Sequence, residues 1–145
     1  MGKKRIIAKP SGDATPNEEK PKESKTPARG GVGTGTIFIQ STFNNTKIVL
    51  ADGRGNALAW STSGSLGFKG AKKGTPYAAG KVAEVVADKA DALGVKRVDI
   101  IVKGVGTGRE SSIRTLGSRG FDIASIKDMT PVPFNGPRPK KPRRV

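Results

Sequence analysis

Between Thr36 and Asn135 the apolar positions change period repeatedly, alternating in some stretches and recurring every three to four residues in others. TIFIQSTF (36–43), KIVLAD (47–52) and ALAWSTS (57–63) are rich in β-branched or aromatic residues and read as three strands of a meander. Asn44 and Asn45 tolerate the left-handed backbone region and suit the first tight turn, while DGRGN supplies the second. Trp60 in the third strand is read as a core or sheet-packing residue and not as a base-stacking one.

The period then lengthens. TPYAAGKVAEVVADKADALG carries Thr75 as N-cap, Pro76 at the first helical position and Gly94 as the stop, so a helix with clear ends is expected. Ala79, Val82, Ala83, Val86, Ala90 and Leu93 form its inner face, and Lys81, Glu84, Asp88 and Asp91 the outer. The alanines and Gly80 imply close packing. KRVDIIVK follows as a strand with Val98, Ile100 and Val102 on one face and Ile101 on the other; RESSIRTLGSRG is a short helix with Ile113 and Leu116 inward; FDIASIKDM is a last strand. The order is βββαβαβ. Helical crossovers require parallel neighbours and the first hairpin antiparallel ones, so the fold class is α/β with a mixed five-stranded sheet and helices packed on it.

The flanks differ in kind. Residues 1–35 hold eight basic and four acidic residues with few apolar ones, a composition that reads as a flexible basic arm ending in the joint GGVGTG (30–35). At the other end PRPKKPRRV carries five basic residues, no acid, and prolines that oppose helix and sheet; it reads as an extended cationic tail. The expected domains are therefore 1–35, 36–135 and 136–145.

Charge narrows the possible partners. The 145 residues carry 27 Lys and Arg against 12 Asp and Glu, a net charge of +15, which suits a polyanion. No apolar run approaches the ~18 residues of a membrane span, and the short Ile6–Ala8 patch is no secretory core, so a cytosolic chain with no membrane partner is expected. Cys and His are both absent, which removes disulfides, the usual zinc sites, thiol nucleophiles and the commonest general base. The eight acidic residues of the central region are scattered, and no catalytic carboxylate pair is assigned.

Two glycine-rich loops remain. GSLGFKGAKKG (64–74) carries Lys69, Lys72 and Lys73; VKGVGTGRE (102–110) lies between a strand and a helix. Such a turn places backbone N–H groups at a helix N-terminus, where a phosphate is stabilised, so a nucleotide cofactor and a nucleic-acid backbone are both chemically possible. Asp128, twenty residues after Gly108, would suit a dinucleotide, but the spacing is G-x-G-x-G and the unit is a single βαβ. Loops, arm and tail all being cationic favour folded RNA, read by phosphate and shape, with Gly104, Gly106 and Gly108 allowing close approach and Arg109 and Arg114 gripping phosphates. A nucleotide-cofactor-binding α/β protein using Gly104–Gly108 is the alternative.

The runs FNNTKIVLADGRGNALAWSTSGSLGFKGAKKGTPYAA, VKGVGTGRESSIR and DMTPVPFNGPRPKKPRRV resemble the universal small-subunit ribosomal protein eleven family, in its bacterial type, over about Thr36 to Val145. The resemblance implies a ribonuclease-H-like topology without that fold's carboxylate site, no enzymatic activity, no cofactor and no small-molecule substrate. It implies binding to small-subunit ribosomal RNA on the platform, beside neighbouring platform proteins and close to messenger RNA and the Shine–Dalgarno region, and a place in cytoplasmic or organellar ribosomes. The implied RNA-facing residues include Asn44, Asn45 and Thr75, the second glycine loop to Arg109, and Asn135, Gly136, Arg138, Lys140, Lys141, Arg143 and Arg144. Val105 and Thr107 stand where the family usually has prolines, which predicts a less rigid loop. Phe134 and Pro137 replace the usual His and Cys.

Overall fold

Period-two burial builds the sheet. In the computed structural model, which describes residues 33–142, the strands are β1 (Thr34–Ser41), β2 (Thr46–Ala51), β3 (Ala57–Thr62), β4 (Arg97–Lys103) and β5 (Asp122–Asp128). The helices are α1 (Pro76–Ala92) and α2 (Gly108–Ser118), with a short 3-10 turn at Gly70–Gly74. The expected arm to residue 32, and Arg143 and Arg144, lie outside the described residues.

The sheet order is β3-β2-β1-β4-β5. β1 is antiparallel to β2, and β2 to β3, whereas β1–β4 and β4–β5 are parallel. This is the expected mixed α/β sheet in the expected βββαβαβ order, with two helices packed on it.

Ile37, Ile39, Ile48, Leu50, Val98, Ile100 and Val102 point to one side and share a core with Val82, Ala83, Val86, Ala87 and Ala90 of α1 and Leu116 of α2. Each side chain of Val or Leu size so buried contributes about 1.5–3 kcal/mol. The ends of α1 are those the sequence predicts: the Thr75 hydroxyl accepts from Ala78 N–H at 3.3 Å, Pro76 opens the helix, and Gly94 takes φ 75° beyond it. α1 packs on α2 beside Gly80, where a Cβ would stand 3.4 Å from Thr115 Oγ1, an ordinary contact distance.

Three expectations change. Trp60 is 56% exposed and is not a core residue. The helix side of β3 carries Ala59 and Ser61, small enough for α1 to lie close, and the indole is left on the opposite face. The first turn centres on Phe43 and Asn44, closed by Thr42 N–H donating to Asn45 O at 2.9 Å, and neither asparagine has positive φ. Finally, β1 starts two residues early: Thr34 and Gly35 pair with Arg97 and Val98, and Gly35 is buried where a Cβ would meet Ala51 O at 3.0 Å, so the last two residues of the joint read at 30–35 are strand.

Candidate nucleic-acid interface

One end of the domain gathers the loops that the sequence singled out. The turn Thr42–Asn45, the stretch 64–75, the loop 103–108 and the segment after β5 touch one another there. Thr107 Oγ1 donates to Gly74 O at 2.8 Å, Gly106 N–H donates to Ser41 O at 3.0 Å, and Gly104 N–H donates to Thr130 Oγ1 at 3.1 Å. Four segments distant in sequence are thus joined by backbone and hydroxyl hydrogen bonds.

The glycines of 104–108 face inward. A Cβ on Gly104 would lie 2.1 Å from Ser41 O, one on Gly106 2.4 Å from Thr42 O, and one on Gly108 2.5 Å from Thr46 Oγ1. Gly104 also holds φ 96°. The close approach anticipated from the sequence is therefore made to the β1–β2 turn of the same chain. Gly74 belongs to the same joint, its Cβ position being only 2.0 Å from Phe43 O. Val105 projects outward from this anchored loop and is 61% exposed.

Arg109 is also turned inward. Its Nη1 donates to Gly104 O at 2.5 Å, and its Nη2 donates to Asp128 Oδ2 in an ion pair. Asp128 accepts in addition from the Thr130 hydroxyl at 2.6 Å and the Thr130 N–H at 2.9 Å. These donors, the Thr130 hydroxyl foremost and the Arg109 guanidinium next, hold its carboxyl down at about 2. Asp128, whose position would suit a dinucleotide on the cofactor alternative, latches the start of α2 to the end of β5.

The remaining candidates divide by accessibility. Lys69 and Lys72 are exposed and Lys73 half-buried on the 64–75 stretch, and Arg114 is exposed on α2. Asn44 is exposed; Asn45 is half-buried and closes the turn. The Thr75 hydroxyl is engaged, donating to Lys72 O at 2.8 Å while it caps α1. Asn135, at φ 53°, Gly136, Arg138, Lys140 and Lys141 lie exposed in a segment without helix or strand.

Exposed apolar groups at this end escaped the sequence reading. Phe43 is 74% exposed at the turn tip, one step beyond the last alternating position of β1. Tyr77, 68% exposed, meets Phe68 edge-on at 6.1 Å between ring centroids and carries Lys81 Nζ 5.8 Å above its face. The available signal was position: an aromatic in the turn, and one beside Pro76 off the inner stripe of α1. Phe43, Val105 and Pro131 also line an open apolar cleft of about 420 Å³ with Gln40 and Lys103 at its rim.

No helix among the described residues is long and apolar enough to cross a membrane. Among those residues no three acidic side chains gather as a metal site.

Residues 35–144 match the family described as Ribosomal protein S11. The chain is similar to proteins named small ribosomal subunit protein uS11: that of Borreliella burgdorferi (strain ZS7) is 52% identical over 122 residues, covering 84% of this chain and 94% of the relative. The Thermotoga maritima protein is 57% identical over 111 residues, 77% and 85% of the two chains. The Solibacter usitatus protein is 48% identical over 126 residues, 87% and 93%.

Proposed function

The chain belongs to the ribosomal protein S11 family, and from that premise we propose that it is a structural, non-enzymatic constituent of the small ribosomal subunit. It binds small-subunit ribosomal RNA through the loop end and the C-terminal tail, and takes part in translation by holding that RNA in one arrangement. The observation that carries this reading is the cross-bonded joint at the loop end, from which exposed cations project. Because the loops are already fixed to one another, little conformational freedom is lost when RNA docks. Lys69, Lys72, Lys73 and Arg114 neutralise phosphates there and release counterions, while Arg138, Lys140, Lys141, Arg143 and Arg144 lie along the backbone beyond.

Arg109 then has two tasks in sequence. It first shapes the Gly104 loop through Gly104 O and Asp128. Its further N–H groups are donors for a phosphate that approaches the start of α2. Asn44, Asn45, Asn135 and Gly136 present backbone and amide groups at the same end, whereas Gly106 and Gly108 are buried against the β1–β2 turn and support the loop from beneath. On the finer scale the RNA is that of the platform, near the messenger exit and the Shine–Dalgarno pairing, beside other platform proteins, and the joint supports subunit assembly.

Co-sedimentation with small subunits through a salt wash tests the reading. The protein should remain bound at moderate salt, and replacing Lys69, Lys72 and Lys73 together by Ala should lower affinity and reduce the slope of log affinity against log salt by about two. A slope unchanged by the triple substitution would remove the loop end from the interface. The cofactor alternative requires a dinucleotide to raise the melting temperature, as any ligand of the native state must.

A further inference from the structure

Both helices pack on one face of the sheet, and among the described residues no element covers the other. Strand register places Trp60, Val49, Phe38 and Ile101 side by side on that open face, in a row that crosses β3, β2, β1 and β4. Trp60 is 56% and Phe38 38% exposed. The two rings stand two strands apart, roughly 10 Å at ordinary strand spacing.

A polar row runs parallel to this one. Lys47 and Lys103 flank Gln40 in the next register, and Lys127 stands beside Ile101 at the end of the apolar row. None of the three lysines takes part in an ion pair among the described residues. Arg97 is matched by Asp122, and Asp99, which accepts from the Ser125 hydroxyl at 2.5 Å, is one carboxylate against the three lysines, so the net charge of the face is cationic. A shallow cleft of about 190 Å³ between the rows shares Gln40 and Lys103 with the cleft at the loop end.

Aromatic faces beside a line of cations suit one class of ligand, single-stranded nucleic acid, whose bases stack while its phosphates are neutralised. We propose that the open sheet face is a second RNA-binding surface, where unpaired bases stack on Trp60 and Phe38 and their phosphates meet Lys47, Lys103 and Lys127. This rests on the chain being an RNA-binding protein, but uses a face separate from the loop cations. Charge complementarity selects this occupant: residues 1–35 carry net +4, the sign of the face itself, and a helix docked through apolar contacts alone would leave the three lysines unused.

Trp60 is the only tryptophan of the chain, so its fluorescence reports this face alone. The full-length protein is titrated with an oligouridylate of about twelve nucleotides carrying a terminal dye. Saturable quenching of Trp60 should track the dye anisotropy. Trp60→Ala should weaken the oligomer about tenfold at an unchanged melting temperature, and the Lys69, Lys72, Lys73 triple variant should leave the quenching at saturation intact. Oligomer binding without quenching, or with wild-type affinity in Trp60→Ala, overturns the proposal while leaving the loop-end reading standing. Loss of all binding, to oligomer and small-subunit RNA alike, overturns both. A change of Trp60 emission on deleting residues 1–32 with no RNA present would assign the face to the arm, and capture of an acidic protein in place of RNA would assign it to a protein; either overturns it.

Discussion

Replacing Gly104 by Ala perturbs the joint at its tightest point and separates two contributions that glycine makes there. The first is conformational: at φ 96° an L-residue is strained by about 1–2 kcal/mol. The second is steric. The new Cβ would stand 2.1 Å from Ser41 O, whereas real contacts do not fall below 3.0 Å, so one backbone must move by about 0.9 Å. Neither is free to do so: Ser41 O accepts from Gly106 N–H, and Gly104 is tied to Thr130 and Arg109. Overpacking of this kind costs about 1–3 kcal/mol, which brings the total to about 2–5 kcal/mol. At roughly 4 °C per kcal/mol for a domain of this size, the melting temperature should fall by about 8–20 °C in thermal unfolding followed by circular dichroism. Gly120 is the control, since it holds φ 85° but has no atom within 4 Å of its Cβ position. Gly120→Ala should show the conformational part alone, a fall of about 4–8 °C. Equal falls in the two variants would refute the steric argument.

The Asp128 latch has a pH signature. Its folded pKa of about 2 lies below the ordinary value of 3.8, so the stabilisation is fully present above about pH 4 and is lost as pH falls through 2. The stability difference between the wild type and Asp128→Asn, measured in denaturant from pH 7 to pH 2, should close across that interval; a constant difference would show that the carboxylate charge is not what holds Arg109 and Thr130. Deletion after Gly136 should leave the melting temperature within about 2 °C, because the described tail residues bury nothing. The same deletion should lower affinity for small-subunit RNA and reduce its salt slope by up to about four, for the five basic residues removed. Unfolding of the truncated chain would show the tail to be structural.

What the sequence discloses follows from where the physics is local. The ends of α1 were legible because Thr75, Pro76 and Gly94 each act within one turn of helix. The core faces of β1, β2 and β4 were legible because alternation survives in Ile37, Ile39, Ile48, Leu50, Val98, Ile100 and Val102. Trp60 was misplaced because size suggested burial, while the quantity that decides, how near α1 lies to β3, depends on Ala and Ser positions contributed by separate elements. The glycine loop was legible as a place of close approach but not as to what approaches. Ser41, Thr42 and Thr46 come from a turn some sixty residues away, and only the β1–β4 pairing brings them beneath Gly104, Gly106 and Gly108. Arg109 likewise looked free because its partner Asp128 lies across a helix and a strand.

The strand order bears on how the molecule is made. β1 is the middle strand, yet its second neighbour, β4, is synthesised only after β2, β3 and α1. The β1–β2–β3 meander can close as it leaves the ribosome, but one edge of β1 then stands unpaired with Ile37 and Ile39 beside it, a template for association with other nascent chains. Each copy passes through this half-built stage, and its exposure lasts as long as translation from β2 to β4. A pause that holds the nascent chain with β1–β3 outside the ribosome and β4 not yet emerged should therefore raise aggregation during synthesis, whereas the same pause once β4 and β5 have emerged should not.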